Sequence, residues 1–165
     1  MPLNIPNGEL VFIDANIFYY HFVSVPPLTV ECKTFLQRVE QVDVTGVTAT
    51  STIAETQHKV MLAEAVQKYG LPRQGLVRRL TQTPKLIAGL SHHQIVPGAI
   101  VEMNVRIETL TTAILQRAAQ LSVRHELLTN DAIMLAYMEK LGITHLATND
   151  DDFDPLAGIT VWKPR

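Results

Sequence analysis

The acidic residues with the most informative positions stand where predicted strands and helices meet. Asp14 ends an apolar run, and Asp150 follows a short β-branched run. Asp131 opens a mostly apolar helix, and Glu55 falls in or near the first turn of another. A set of carboxylates without Cys or His partners favours Mg²⁺ or Mn²⁺ over zinc, because these ions prefer oxygen ligands. The chemistry that these residues indicate is hydrolysis of a phosphodiester by a metal-activated water.

These carboxylates can act together only if the fold brings them to one edge of a sheet. In a parallel α/β sheet, right-handed crossovers place the carboxyl ends of the strands on the same side, where ligands bind. We therefore expect four carboxylates, separated by as many as 136 positions between Asp14 and Asp150, to share one crevice. Neighbouring carboxylates repel and burial raises their pKa values, so a divalent cation is expected to neutralise them.

A structural explanation exists for each acid taken alone. An acid near the start of a helix interacts favourably with the helix dipole, and Lys59 lies four residues after Glu55, in the orientation that favours a surface ion pair. Asp14, Asp131 and Asp150 can serve as caps or turn formers. The agreement of all four acids in position and order favours the functional interpretation.

The stretch from Leu127 to Phe153 combines a helix, a turn, a strand and an acidic loop. Ala132 to Leu141 is apolar on almost all sides, which predicts a buried helix, and Thr129 or Asn130 is its expected cap. Ile143 to Thr148 alternates and carries β-branched residues, which predicts a strand that runs directly into the acids. This stretch therefore supplies two of the four acidic positions.

Strands and helices alternate along the rest of the chain, which predicts an α/β fold with a mostly parallel sheet. Further strands are predicted over Glu9–Asp14, Val42–Thr50 and Gly158–Trp162. Further helices are predicted over residues 17–22, 30–40, 51–69 and 105–122, with one or two more within residues 73–90. The caps expected for the first three of these helices are Asp14 or Asn16, Thr29, and Ser51 or Thr52. Residues 92–105 contain Pro97 and Gly98 and are expected to form a loop.

The composition is that of one globular domain. The chain has 165 residues, of which 47% are hydrophobic, so we expect a full hydrophobic core and a single domain over residues 1–165. Cys32 is the only cysteine, which excludes an internal disulfide and fits a reducing cytoplasm. No apolar run approaches the roughly 20 residues of a membrane span, so a soluble cytoplasmic protein without a membrane partner is expected.

The net charge of −2 conceals an uneven distribution. Residues 56–124 hold nine Lys and Arg against three Glu, whereas the remainder holds five basic residues against thirteen acidic ones. Basic helices around an acidic centre would suit a polyanion that is held by its phosphates, and solvated helix faces explain the same pattern equally well. Candidate phosphate contacts are Arg78, Arg79, Arg106, Arg117 and Arg124. Tyr19, Tyr20 and Phe22 could stack on bases, although aromatics beside a buried strand more often belong to the core.

Motifs of several other enzyme classes are absent from the sequence. The six His residues show no zinc-protease spacing, and no P-loop, dinucleotide fingerprint or Gly-x-Ser-x-Gly motif is present. A phosphotransfer enzyme could use Asp14 as its nucleophile. The commonest version of that chemistry has a second Asp where this chain has Asn16, which counts against it.

The acidic positions, taken in order with their neighbours, resemble the PIN domain family. The matching features are Asp14 followed by Asn16 at the end of the first strand, Glu55 early in a helix, Asn130-Asp131-Ala132 at the start of a buried helix, and the run from Thr148 to Phe153. The best match is the stretch over residues 128–153, and the resemblance extends over essentially the entire chain. Each motif alone is unspecific, whereas the set in this order and spacing is typical of the family.

The resemblance implies a sheet of about five parallel strands and a Mg²⁺- or Mn²⁺-dependent endoribonuclease, as in the toxins of VapC-type toxin-antitoxin pairs. The partners expected on this basis are an RNA substrate, an antitoxin protein and a second copy of the chain in a homodimer. The catalytic residues would be Asp14, Glu55, Asp131 and Asp150, the metal ligands Asp14, Asp131, Asp150 and Asp152, and the residues that shape the site Asn16 and Thr148. The alternative is a catalytically silent PIN-fold module that binds RNA or a protein, although such a module has no need of all four acids.

Overall fold

The computed structural model describes residues 1–165 and contains one sheet of five strands. The strands are β1 Leu10–Ile13, β2 Thr45–Ala49, β3 Arg106–Glu108, β4 His145–Ala147 and β5 Thr160–Trp162. Their order is β3-β2-β1-β4-β5, and every neighbouring pair is parallel. The predicted α/β class with a parallel sheet is therefore confirmed.

Eight helices connect and cover the strands. They are α1 Ala15–Phe22, α2 Leu28–Glu40, α3 Thr50–Tyr69, α4 Leu76–Gln82, α5 Pro84–Ala88, α6 His92–Glu102, α7 Thr112–His125 and α8 Thr129–Leu141. None of them combines the length and the apolar character that crossing a bilayer requires. Gly70 and Gly142 end α3 and α8 with φ values of 63° and 66°. Glycine adopts this left-handed conformation without steric cost, so both helices stop where the sequence predicts.

The sheet separates two hydrophobic clusters, because side chains alternate along each strand. Val11 and Ile13 of β1 belong to the cluster formed with α1, α2 and α6, whereas Phe12 belongs to the cluster formed with α7 and α8. Phe12 is fully buried and stacks against Tyr137 of α8, with ring centroids 6.1 Å apart. Burying a side chain of this kind contributes about 1.5–3 kcal/mol, so packing on both faces holds the central strand in place.

The register of the central strands sets the position of the acidic residues. Ile13 of β1 lies opposite Ala147 of β4, so the next residues along the two strands, Asp14 and Thr148, come side by side at the carboxyl edge of the sheet. The backbone N–H of Asp14 donates to the carbonyl oxygen of Ala147 over 3.0 Å. A register shift of one residue would turn the side chains of β4 to the opposite face, so the hydrophobic pattern of the strands also fixes this pairing.

Residues 92–102 form helix α6, so the loop predicted from Pro97 and Gly98 is wrong. Val96 and Ile100 are fully buried in the same cluster as β1. Their packing outweighs the poor helix propensity of Pro and Gly, which is a weak local preference compared with burial.

A carboxylate from another helix supplies the N-terminal cap of α6. Glu64 of α3 is buried and accepts hydrogen bonds from the backbone N–H groups of Ser91 and His92 over 2.9–3.0 Å. Burial alone would raise the pKa of Glu64, but these two hydrogen bonds, together with the nearby charges of His92 and Lys68, lower the pKa below its usual value. The cap lies 27 positions before Ser91, so local sequence pattern does not reveal it.

Residues 106–108 form the edge strand β3 instead of the start of the helix predicted over residues 105–122. Ile107 lies opposite Thr48 of β2, so this segment pairs with the sheet. Helix α7 begins at Thr112, where the side chain of Thr111 accepts from the backbone N–H of Ile114. Ile107 and Ile114 stand at helical spacing by coincidence, which is why periodicity alone extends the helix too far.

The caps predicted from side-chain type are only partly confirmed. Asp14 caps α1 by accepting from the backbone N–H of Ala15. Three other helices begin earlier than expected. Helix α2 begins directly after Pro27, α3 directly after Ala49, and α8 directly after Leu128. The expected caps that form no capping hydrogen bond are Thr29, Ser51, Thr52, Thr129 and Asn130.

Candidate functional site

Asp14 lies at the carboxyl end of β1, buried where the sheet meets α1 with only 6% of its surface exposed. Its Oδ1 accepts from the backbone N–H of Ala15, and its Oδ2 accepts from the hydroxyl of Thr148 over 2.7 Å. Burial raises the pKa of Asp14 to about 6, although the bond from Thr148 and the charge of Lys59 lower it in part. The ionised carboxylate is therefore unfavourable here, and a nearby cation would relieve that penalty.

The hydroxyl of Thr148 connects the acidic residues to the surrounding backbone. It is fully buried, donates to Asp14, and accepts from Nδ2 of Asn16 and from the backbone N–H of Asp150, both over 3.0 Å. Oδ1 of Asn16 accepts in turn from the backbone N–H of Asn149 over 3.0 Å. Asn16 and Thr148, the two residues expected to shape the site, thus fix the loop after β4 against the start of α1.

Thr148→Val is expected to raise the pKa of Asp14 further, because it removes a hydrogen bond that favours the ionised carboxylate. The free energy of unfolding should fall by about 1–3 kcal/mol, since the partners of the hydroxyl are left unpaired. Urea unfolding as a function of pH measures both effects. Thr48→Val is the matched control, because Thr48 is equally buried but donates to the carbonyl oxygen of Ile13. The same change in pH dependence in both variants would contradict the role assigned to Thr148.

Asp131 lies in the first turn of α8 and shares a crevice with the other acids. Burial raises its pKa from 3.8 to about 6, and the negative charges of neighbouring carboxylates add to the effect. Those carboxylates, in order of their contribution, are Asp150, Asp14, Asp152 and Glu55. The charges of all the other acidic positions predicted from the sequence therefore reach Asp131, although no three of these side chains are placed to hold one metal ion. These five residues are called the acidic crevice below.

Glu55 lies in the second turn of α3, not the first, because the helix begins earlier than expected. Its Oε1 is 2.7 Å from Nζ of Lys59, and its Oε2 accepts from Nδ2 of Asn130 over 2.9 Å. The ion pair expected on structural grounds is present. The hydrogen bond from Asn130 places Glu55 beside the start of α8, and its negative charge raises the pKa values of Asp14 and Asp131.

The three consecutive acids after β4 do not all face the crevice. Asp151 is exposed and pairs with the ammonium group of Lys163. Oδ1 of Asp150 accepts from the backbone N–H of Asp152 over 3.1 Å, and both of these acids contribute negative charge at Asp131. Asp151 is therefore a useful control, because it is acidic and adjacent but points elsewhere.

The acidic crevice suits a hard divalent cation by its donor chemistry. It presents carboxylate oxygens with hydroxyl and amide neighbours, and no Cys or His contributes to it. No three His, Cys, Asp or Glu side chains are placed to hold a metal ion together. Mg²⁺ is commonly held by one or two carboxylates and keeps several waters, so the crevice fits an ion that is bound partly through water.

A groove of about 470 Å³ opens beside the acidic crevice, and its walls come from α1, α3, α4 and the segment before α4. Its polar and aromatic lining residues are Asn16, Tyr19, Tyr20, Lys59, Arg73 and Arg78. Both tyrosines also pack against the core, so they can belong to the core and still offer part of each ring for stacking on a base. Sequence reasoning anticipates Arg78 but misses Lys59 and Arg73 as lining residues. The four-residue spacing between Glu55 and Lys59 could have indicated that Lys59 lies near the site. The position of Arg73 depends on the path of the chain before α4.

Two of the arginines expected to contact phosphates form ion pairs within the protein. Arg106 lies 2.7 Å from Glu108, and Arg117 lies 2.8 Å from Glu139. Their charges are already balanced by neighbouring carboxylates, so the structure does not support these two as phosphate contacts.

Comparison with protein families identifies one match. The sequence profile of the PIN domain matches residues 11–159, a range that includes every residue of the acidic crevice. Comparison with curated protein sequences gives no significant match.

Three solved structures from bacteria have a similar fold. VapC20 of Mycobacterium tuberculosis, described as a sarcin-ricin loop cleaving toxin, has a TM-score of 0.61 and 20% identity over 91% of this chain and 96% of its own. VapBC2 of Rickettsia felis, bound to a DNA fragment from its promoter, has a TM-score of 0.55 and 13% identity over 94% and 99%. A toxin-antitoxin complex from Klebsiella pneumoniae has a TM-score of 0.52 and 18% identity over 91% and 95%. At such identities the likeness concerns the fold alone.

Proposed function

Because the chain belongs to the PIN domain family, we propose that it is a Mg²⁺- or Mn²⁺-dependent endoribonuclease. The observation that supports this function is the acidic crevice, in which burial and mutual repulsion raise the pKa of Asp131 to about 6. Such an arrangement is costly for folding unless a cation neutralises it, so a purely structural role accounts for it poorly. The proposed reaction is hydrolysis of an RNA phosphodiester, which leaves a 5′-phosphate and a 3′-hydroxyl.

Each residue of the crevice has a proposed role. Asp14, Asp131 and Asp150 would hold the cation directly or through water, and Asp152 would assist them or hold a second ion. The bound cation would lower the pKa of a coordinated water and offset the charge that develops on the phosphate. Glu55, which Lys59 and Asn130 hold in place, would orient the attacking water.

The oxygens of Asp14 limit what it can do. Both are hydrogen-bonded, to Ala15 and Thr148, and the side chain is almost fully buried. A role as covalent nucleophile in phosphotransfer would require one of these oxygens to approach a phosphorus atom. A role as metal ligand is easier, because each oxygen has a second lone pair free to coordinate a cation.

We also propose that the chain is the toxin of a toxin-antitoxin pair and that it forms a homodimer. The support for an antitoxin partner is a likeness of fold, since the similar structures include complexes described as VapBC2 and as a toxin-antitoxin complex. A protein partner encoded next to this chain should then bind it stably and reduce its cleavage of RNA. Purification of the two proteins together, followed by measurement of mass in solution, tests the partner and the dimer.

Asp131→Asn is expected to reduce the rate of Mn²⁺-dependent RNA cleavage by about 10²–10³, the loss typical of removing one group that stabilises developing charge. The measurement is the cleavage of a labelled RNA in Mn²⁺ and in chelator. Asp151→Asn is the matched control, because it removes an equal charge one residue away from the crevice and should leave the rate within a few-fold. Equal rates for wild type and Asp131→Asn would refute the assignment.

The alternative is a catalytically silent module, and one observation favours it: no three acidic side chains are placed to hold a metal together. Calorimetry separates the two proposals. A nuclease should bind Mn²⁺ and lose that binding in Asp150→Asn, whereas a silent module should bind RNA equally well in chelator and in Mn²⁺ and should never cleave it.

A further inference from the structure

The groove beside the acidic crevice combines three kinds of chemistry in one space. Tyr19 and Tyr20 supply aromatic rings, Arg73 and Arg78 supply positive charge, and most of the surface is apolar, with aliphatic side chains from α3 and α4. Its volume of about 470 Å³ lies within the range that suits a ligand of nucleotide size, roughly 300–1,000 Å³.

The groove and the acidic crevice share residues, so a ligand can extend from one into the other. Asn16 lines the groove and donates to Thr148 within the crevice over 3.0 Å. Lys59 lines the groove and pairs with Glu55 over 2.7 Å. The hydroxyl of Tyr20 accepts from Nδ2 of Asn149 over 3.1 Å, in the loop that carries the acids. The groove is therefore continuous with the proposed site of cleavage.

The charge of the groove is opposite to that of the crevice. Arg73 and Arg78 are exposed and form no ion pair, and no acidic side chain lines the groove. Free guanidinium groups bind phosphate strongly, because their planar donors match phosphate oxygens in pairs. This pattern favours a polyanion over an apolar peptide, which would leave both charges without a partner.

The two tyrosines are arranged to receive a planar group. Their rings contact each other edge to face, with centroids 5.6 Å apart and planes inclined by 62°, and each ring is partly exposed. Contacts with the core limit their movement. A fixed, partly exposed aromatic ring is a stacking platform for a nucleobase, and such stacking contributes about 1–3 kcal/mol per base.

We propose that this groove binds one nucleotide of a single-stranded RNA next to the bond that is cleaved, with its base on Tyr19 and its phosphate on Arg73 and Arg78. The inference deepens the proposed nuclease function and rests on it for the identity of the strand. It adds a subsite that holds the substrate without any metal, so binding to this subsite can be measured separately from cleavage.

The first test measures binding of a short, fluorescently labelled single-stranded RNA in chelator by anisotropy. Replacing Arg73 and Arg78 together by Ala should weaken binding by about tenfold or more and make the salt dependence shallower, since each phosphate contact on a single strand adds about 0.7 to the slope. Arg79 was expected from the sequence to contact phosphate, but it does not line the groove. Arg79→Ala is therefore the matched control, because Arg79 is an exposed arginine of the same helix α4. A loss of binding in Arg79→Ala as large as that in the double variant would overturn the proposal, because general surface charge would then explain both.

The second test concerns the base. Tyr19→Ala should weaken binding by about tenfold, whereas Tyr19→Phe should bind as wild type, because stacking needs the ring and not the hydroxyl. An RNA with one abasic position should bind wild type about tenfold more weakly, and that position should make no difference to Tyr19→Ala. If the losses of binding from Tyr19→Ala and from the abasic position add together, the base does not stack on Tyr19. Thermal unfolding checks that each variant is folded.

Failure of the groove and failure of the nuclease have different signatures. Wild type that binds RNA through Arg73 and Arg78 but never cleaves it in Mn²⁺ supports the groove and refutes the nuclease. Wild type that cleaves RNA, while the double Arg variant binds and cleaves equally well, refutes the groove alone. If RNA binds neither wild type nor the double Arg variant, the proposal for the groove is refuted. It is also refuted if an apolar peptide occupies the groove and leaves the binding of RNA unchanged.

Discussion

Asp14→Asn is expected to abolish RNA cleavage and, at the same time, to make the metal-free protein more stable at neutral pH. Asn resembles the protonated carboxyl, because it has one acceptor oxygen where the carboxylate has two and so keeps only one of the hydrogen bonds from Ala15 and Thr148. The loss of the other bond is already contained in the pKa of Asp14, which both bonds lower. The variant also loses the buried charge of Asp14, whose pKa is raised from 3.8 to about 6. Removing that penalty should add about 1–3 kcal/mol to the free energy of unfolding.

The dependence on pH gives this prediction its sign. The folded protein binds the Asp14 proton more tightly than the unfolded chain does, so wild type loses stability as pH rises from 3.8 to about 6. The advantage of Asp14→Asn should therefore be fully present above pH 6 and disappear as pH falls below 3.8.

Thermal unfolding in chelator measures the effect, and a gain of 1 kcal/mol should raise Tm by about 2–4 °C in a chain of this size. Asp151→Asn is again the control, because Asp151 is exposed and outside the crevice. A lower Tm for Asp14→Asn at neutral pH, or cleavage at the wild-type rate, would show that Asp14 carries a structural role instead.

The second large effect concerns the metal. Affinity for Mn²⁺ should fall steeply below pH 6, because Asp14 and Asp131 both take up protons near that pH and a cation must displace them. Displacing two protons makes the affinity change by about a hundredfold per pH unit below the two pKa values, and the change should level off above them. The charge of Asp14 also raises the pKa of Asp131, so the measured profile reports both carboxylates together.

Calorimetric titration with Mn²⁺ at several pH values measures this profile and the number of protons released. In Asp131→Asn, only Asp14 must release a proton when Mn²⁺ binds. The affinity of this variant for Mn²⁺ should therefore change by only about tenfold per pH unit. An affinity for Mn²⁺ that does not vary between pH 5 and pH 7 would contradict binding at these two acids.

The sequence could predict the positions of those site residues that directly follow a strand. Asp14 and Thr148 come immediately after β1 and β4, and the register of those strands makes them neighbours. Asp131 is in the first turn of α8, a helix that its apolar sequence pattern predicts. These positions depend on hydrophobic pattern and on the handedness of crossovers, both of which are general rules.

The features that sequence could not predict depend on contacts between distant segments. The cap of α6 comes from Glu64, and packing of Val96 and Ile100 keeps the helix intact around Pro97. No local pattern contains that information, because propensity is a weak preference that tertiary packing overrides. The groove was missed for the same reason, since Arg73 reaches it only through the path of the segment that leads into α4.

The order of the acids along the chain has a consequence for synthesis. β4 is the last strand to join β1, and Asp131, Asp150 and Asp152 come late in the sequence. A polypeptide still emerging from the ribosome holds only Asp14 and Glu55 of the acidic crevice, and β4 has not yet joined β1. Under the proposed function, the chain would therefore be unable to cleave the messenger and ribosome that produce it until translation of its own message is almost complete.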